Sequence, residues 1–372
     1  MIRLNDFQTQ WLTLGKEILA AVERVGTSGW YILGKEVSRF EIHLASATGA
    51  TYAVGCANGL DAIEIALRVC GLRPGDRVIT TPLSAFATTL AIIRAGGVPV
   101  FIDVDQSGLL DLELTQEWLA QREDKPSFLL PVHLYGHCIN LKTLSELKSS
   151  YNLRVIEDCA QAIGSRSAAA RCGSVGEVAA TSFYPTKNLW CMGDGGAILT
   201  NGETLAASAK QLRDYGQEKK YLHASIGLNS RLDELQAAIM ADAVLPRLAD
   251  LTERRRAIAA TYLNSISNSL VTIPPAPADS HSVYHLFPVL IAENREGFMT
   301  HLRERGVESG VHYPFVIPDQ PAMKLHPFVI DGALPEARRF SRAEVSLPIH
   351  PYLSDSDVHQ VVEACNSWTN SR

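Results

Sequence analysis

No apolar run in this sequence approaches the length needed to cross a bilayer, and no pair of cysteines falls in a CxxC or zinc-ligand spacing. The seven cysteines (56, 70, 138, 159, 172, 191 and 365) are odd in number and scattered, which argues against a disulfide framework and for reduced thiols. A basic excess is also missing. With 34 Lys and Arg against 40 Asp and Glu the formal net charge is −6, so there is no electrostatic footprint for nucleic acid or an acidic membrane, and any phosphate must meet a local site. The opening residues, MIRLNDFQTQWLTLGKEILAAVERV, mix charges with apolar residues and lack the basic start and unbroken apolar core of a signal peptide, so a cytoplasmic location is expected. His133, His137 and Cys138 lie close together, but no carboxylate completes a set there, and no metal is expected. What remains is an ordinary soluble composition: 46% hydrophobic, 20% charged.

A chain of 372 residues exceeds what one hydrophobic core usually supports, which predicts a large domain and a smaller one. Through the first two-thirds, strand-like runs (TYAVGCA, RVITT, VPVFIDVD, FLLPVHL, LRVIEDCA) alternate with helical ones (LDAIEIALRVCG, LKTLSELKSSYN). That alternation predicts an α/β architecture with a largely parallel sheet covered on both faces. Near ATSFYPTKN the pattern shifts to shorter strands and turns, which suggests antiparallel additions. A long helical pattern then runs from Arg231 to Ile266, broken at Pro246, and the domain boundary is placed there, giving residues 1–245 and 246–372.

Three constellations carry chemistry. The first is VGCANGLD, a strand that stops at a small turn and opens into a helix, where free backbone N–H groups make a cup for phosphate. It matches neither the GxGxxG fingerprint nor the Walker pattern and is weak alone. The second is RVIEDCAQ, an apolar strand ending in two adjacent carboxylates, at the kind of strand end where ligands gather. Asp158 alone would as readily cap a helix. The third is SFYPTKNL, followed by GDGGA, which sets Lys187 among apolar and small residues. Partial burial would depress its pKa and make it a usable amine. A lysine, an acid and a phosphate cup in one α/β domain are what pyridoxal 5′-phosphate (PLP) requires.

The ordered blocks ANGLDA, PVFIDVD, PVHLYG, VIEDCAQAIGS, TSFYPTKN, GDGGAILT, IGLNSRLDELQAA, VHYP and SLPIHPYL closely resemble the DegT/DnrJ/StrS sugar aminotransferases, from about Leu4 to the C-terminal helix. The resemblance implies a fold-type-I, aspartate aminotransferase-like PLP enzyme with a mostly parallel central sheet and a smaller C-terminal α+β domain. It implies that Lys187 carries PLP as a Schiff base and moves the proton, that Asp158 pairs with the ring nitrogen, that Gln161 meets the ring hydroxyl and that Phe86 covers the ring face. Backbone N–H groups of Gly59 and Leu60 and the hydroxyl of Ser182 would hold the phosphate, with Asn229 reaching it across the interface of a homodimer with shared sites. Asn229 equally suits a cap for the helix containing Arg231.

For substrate, the resemblance points to Tyr184, His312 and Tyr313. Lys219 and Lys220 could meet a nucleotide diphosphate, or simply be solvated. Arg231 is a candidate for the carboxylate of the amino donor, L-glutamate, or a salt-bridge partner of Asp233 or Glu234. The blocks SGWYILGKE and ANGLDA most resemble enzymes that aminate dTDP-3-keto-6-deoxyhexoses, although UDP-linked 3-keto or 4-keto sugars are an alternative. TPLSAF departs from the family's usual residues before the ring-stacking position, which affects the pocket floor. Lys187 argues against the sugar dehydratase branch, which carries histidine there, and the intact set of Lys187, Asp158 and Gln161 argues against a silent PLP-binding regulator.

Overall fold

The computed structural model describes residues 1–124 and 126–370. Its centre is an eight-stranded sheet of β1 (Tyr52–Cys56), β2 (Arg77–Thr80), β3 (Val98–Phe101), β4 (Phe128–Leu130), β5 (Arg154–Asp158), β6 (Val178–Ser182), β7 (Gly196–Thr200) and, from the C-terminal part, a two-residue strand at Val329–Ile330. The spatial order is β1, β7, β6, β5, β4, β2, β3, then the 329–330 strand. Strand β7 is antiparallel to both its neighbours, β1 and β6; every other pair is parallel. The antiparallel addition expected beyond ATSFYPTKN is therefore this single strand, inserted between β1 and β6.

Val78, Ile79, Phe128, Leu129, Leu130, Val155 and Ile156 are all buried, as strands covered on both faces must be. The helix Gly59–Val69 is buried along most of its length, and its Glu64 is compensated by Arg68 and Arg94. Because β1, β5 and β6 run in the same direction, their carboxyl ends share one edge of the sheet. That edge carries the 57–59 turn, Asp158 and Ser182 together.

Glu234 is held elsewhere than the sequence suggested. Its carboxylate accepts the backbone N–H groups of Gly34, Glu36 and Val37, at 2.8 to 2.9 Å, and so caps a helix (Lys35–Thr48) two hundred residues earlier in the chain. The expected break at Pro246 appears as a change of winding. An α-helical segment (Glu234–Ile239) passes through a π turn (Met240–Val244) and a 3₁₀ turn (Leu245–Arg247) into the helix Leu248–Ser265.

A separate apolar cluster is built from Tyr262, Phe287, Phe298, Val345 and Trp368, joined by Ile2 from the N-terminus. It contains the antiparallel pair Phe287–Leu290 and Glu344–Leu347. The C-terminal chain also returns to the large sheet, where the 329–330 strand pairs with β3, and Ala337 and Phe340 enter the main core.

Candidate active site

Lys187 sits in the loop after β6, which is pinned by Phe183 N–H to the Gly195 carbonyl and Cys191 N–H to the Phe183 carbonyl, both 2.8 Å, and by burial of Phe183, Leu189 and Trp190. Its side chain makes no hydrogen bond among the described residues. Burial pushes its amine down from the usual lysine value to about 8, with the Asp158 carboxylate opposing the shift. An unpaired, partly buried amine close to neutrality is a nucleophile and a base.

Asp158 ends β5 and is buried. Burial raises its carboxyl pKa, opposed by hydrogen bonds from the Ala160 N–H at 3.1 Å and the Thr88 hydroxyl at 2.9 Å and by the charges of Lys187 and His133. Asp158 caps no helix, since a turn follows it. Thr88 had no signal in the sequence. It lies on the short helix Phe86–Arg94, whose first turn delivers the hydroxyl that meets Asp158, while Phe86 itself is partly buried against Phe101, Ile317 and Met323.

The 57–59 turn has the expected build. Asn58 caps the helix by accepting Asp61 N–H at 2.8 Å, while the amides of Gly59 and Leu60 donate to no described group. A Cβ at position 59 would lie 2.6 Å from Ser182 Cβ, so only glycine lets the helix end and the end of β6 approach this closely. Two free amides beside the Ser182 hydroxyl make a cradle of the right donor type for a phosphate. The lysine, the carboxylate and this cradle fit PLP.

Gln161 bridges two elements. Its side-chain oxygen accepts Tyr135 N–H at 2.7 Å and its amide donates to the Tyr313 hydroxyl at 2.6 Å. Tyr135 and Tyr313 both adopt left-handed backbone, φ 59° and 58°, a conformation costing about 1–3 kcal/mol and concentrated at functional sites. His312 lies within electrostatic reach of Lys187; burial and that charge hold its imidazole down at about 4, so it is neutral at physiological pH. His285 is likewise kept neutral beside Lys187, with Nδ1 3.1 Å from the Asn188 side-chain oxygen. Tyr184 is half exposed, one turn before Lys187, whose N–H donates to its carbonyl.

Four expected residues make no hydrogen bond to Lys187 or Asp158 among the described residues. Lys219 and Lys220 are exposed on a hairpin, with the Lys220 ammonium 5.3 Å from the Tyr221 ring centre. Asn229 is exposed and its backbone bridges to Asp214; the capping role does not apply, because the following helix begins only at Glu234. Arg231 pairs with Asp214 at 2.9 Å and lies over the Tyr215 ring, so the salt-bridge alternative holds with a different partner from those expected.

The histidine cluster also needs correction. A carboxylate does adjoin it: Glu157 lies 2.9 Å from His133 Nε2, with Cys159 and Cys172 nearby. Two of these four residues already carry hydrogen bonds, and the two thiols face each other at 3.2 Å. His133 Nδ1 accepts Ile139 N–H, and Glu157 accepts N–H groups from Gly173, Val175 and Gly176 as well as from His133. The group is a buried hydrogen-bonded brace between strand and loop.

The model of the DegT/DnrJ/EryC1/StrS aminotransferase family matches residues 12–366, and the chain belongs to that family. It is 41% identical to the dTDP-3-amino-3,6-dideoxy-alpha-D-galactopyranose transaminase of Aneurinibacillus thermoaerophilus, over 99% of both chains. It is 36% identical to the UDP-2-acetamido-2-deoxy-3-oxo-D-glucuronate aminotransferase of Pseudomonas aeruginosa, over the whole of both, and 38% identical to a protein of Geobacillus stearothermophilus named pleiotropic regulatory protein, over 97% of both. Among solved structures, S. venezuelae DesV in complex with a ketimine intermediate superposes with a TM-score of 0.93 at 38% identity, covering 100% of this chain and 99% of that one.

Proposed function

We propose that this protein is a PLP-dependent aminotransferase that moves an amino group from L-glutamate to a nucleotide-linked 3-ketosugar, with dTDP-3-keto-6-deoxyhexose as the preferred acceptor. The observation that carries the reading is the unpaired Lys187 amine, held near pKa 8 opposite the buried Asp158. The relative from A. thermoaerophilus favours the dTDP-linked sugar; the UDP-linked relative keeps the alternative acceptor open.

PLP, when bound, supplies an electron sink for the substrate carbon that gains or loses a proton. Lys187 tethers the cofactor and, when free, carries the proton to or from that carbon. Asp158 would keep the ring nitrogen protonated, and Gln161, bridging Tyr135 and Tyr313, would meet the ring hydroxyl. Phe86 covers the ring, while Gly59, Leu60 and Ser182 bind the phosphate. Asn229, exposed on one chain, reaches the phosphate of the neighbouring site in a homodimer, and Lys219 and Lys220 meet the nucleotide diphosphate. Residues 1–245 hold the cofactor and residues 246–372 bring His312 and Tyr313 over it. With Arg231 engaged by Asp214, the donor carboxylate must compete for that guanidinium.

The test is a panel of dTDP- and UDP-ketosugars with glutamate, read by mass spectrometry of the products. A yellow protein bleached by glutamate and yielding a 3-amino sugar is expected. A protein that no amino donor bleaches would be a silent binder and would end this reading.

A further inference from the structure

The strand Glu344–Leu347 places Val345 and Leu347 in the apolar C-terminal cluster and, by its two-residue alternation, turns Glu344 and Ser346 to the opposite face. Both are fully buried. A buried carboxylate on such a strand is costly unless each oxygen is satisfied. Here both oxygens are taken by one residue and its bridge. The His312 backbone N–H donates to Glu344 Oε2 at 2.7 Å, Ser346 Oγ donates to Glu344 Oε1, and His312 Nδ1 lies 2.8 Å from Ser346 Oγ. Reciprocal backbone bonds between Gly310 and Ser346 hold the two segments in register.

Proton direction follows from this geometry. A carboxylate only accepts, so the single Ser346 hydroxyl proton goes to Glu344. Ser346 Oγ must then accept, which requires a hydrogen on His312 Nδ1. His312 Nε2 is left as a bare lone pair, and it makes no hydrogen bond among the described residues. We propose that Glu344 and Ser346 are positioning residues that lock His312 in its Nδ1–H tautomer, so that Nε2 serves the Lys187 pocket as an acceptor for a hydroxyl of the hexose. The inference rests on the aminotransferase reading for its ligand. An acceptor of this kind takes an O–H donor and cannot take the keto oxygen, so it selects a sugar bearing a free hydroxyl over its deoxy counterpart.

Groups facing the relay are Arg295, Tyr135 and Tyr313 around Glu344, and Lys187 and His285 around the imidazole. Burial pushes Glu344 up to about 7, so pH 8 is the condition at which the carboxylate is ionised.

The experiment is ¹⁵N-histidine NMR of the PLP-loaded protein at pH 8, with His312 assigned from the spectrum of His312→Asn. The wild type is expected in the Nδ1–H form. In Glu344→Gln the amide oxygen must accept the His312 N–H, which leaves the NH₂ group facing Ser346 and reverses the relay to the Nε2–H form. Ser346→Ala cuts the relay and gives a mixture; it decides the matter if Glu344→Gln does not fold. Both variants are expected to lower kcat/KM for dTDP-3-keto-6-deoxyhexose roughly 10- to 100-fold, mainly through KM. A wild type in the Nε2–H form, or variants that keep a pure Nδ1–H form, would overturn the proposal. The tautomer is read without turnover, so a wild type that bleaches with glutamate yet shows the wrong tautomer sinks this inference alone, whereas one that does not bleach sinks the aminotransferase reading.

Discussion

Thr88→Val isolates the support of Asp158 from everything else in the site. The Thr88 hydroxyl donates to Asp158 Oδ2 at 2.9 Å and is itself 3.1 Å from Ser84 Oγ, while among the described residues Oδ1 takes only the Ala160 N–H at 3.1 Å. Burial already works against ionisation of this carboxyl. Removing one of its two hydrogen-bond donors, with the side-chain shape kept, moves it further toward the neutral form. A hydrogen bond to a charged group contributes about 1.5–3 kcal/mol, so PLP binding that depends on the ionised carboxylate should weaken roughly 10- to 150-fold. The assay is titration of the cofactor-free protein with PLP, followed by its absorbance, with the extent of bleaching by glutamate as a second readout. Thr89→Val is the control: its buried Oγ1 has no partner among the described residues, so PLP affinity should stay within about 2-fold and stability should hold or rise by about 1 kcal/mol. A Thr88→Val protein with wild-type affinity, or a Thr89→Val protein with the same loss, would refute the role given to Thr88.

Lys187→Ala should bind PLP without a covalent bond and lose turnover; retained activity in that variant would contradict its assignment. Because burial lowers the Lys187 pKa from 10.5 to about 8, PLP capture by the cofactor-free protein should accelerate with pH around a midpoint near 8 rather than 10.5. By the same linkage, the unfolded chain holds this proton up to its higher pKa. The cofactor-free protein should therefore gain stability as pH rises from 8 to 10.5 and show the full penalty below 8, measured by urea unfolding against Lys187→Met. Gly59→Ala drives a Cβ to 2.6 Å from Ser182 Cβ and should weaken PLP binding while leaving the main sheet folded by circular dichroism. Glu41→Ala strands the buried Arg213, which Glu41 pairs with beside the Gly55 carbonyl at the end of β1, and should cost about 3–5 kcal/mol in urea unfolding.

The candidate cofactor site was legible because its parts are short and local. The ANGLD turn, the carboxylate ending β5 and the lysine in SFYPTKN each declare themselves within a few residues, and the βα alternation brings their strands to one edge of the sheet. Thr88 was not legible, because a threonine two residues after Phe86 carries no signal until β5 is placed beside it. Glu234 was misassigned for a related reason. Its neighbours in sequence include Arg231, but its carboxylate points at a helix start two hundred residues away, and Arg231 turns to Asp214. For His133 the sequence lacked the fact that Glu157 faces it across two adjacent parallel strand ends.

By itself, the sequence determined the parallel sheet and its family, because strand and helix periodicity and nine ordered motifs are properties of contiguous residues. It also determined that a lysine and an aspartate of the right kind were present. Tertiary structure alone decided the state of those groups. Lys187 reaches a pKa near 8 only because folding strips its solvent and sets one carboxylate opposite it, and His312 is held by Glu344 and Ser346 only because a C-terminal strand packs beneath it. Protonation and hydrogen-bond direction depend on neighbours in space, and no stretch of one-dimensional sequence carries them.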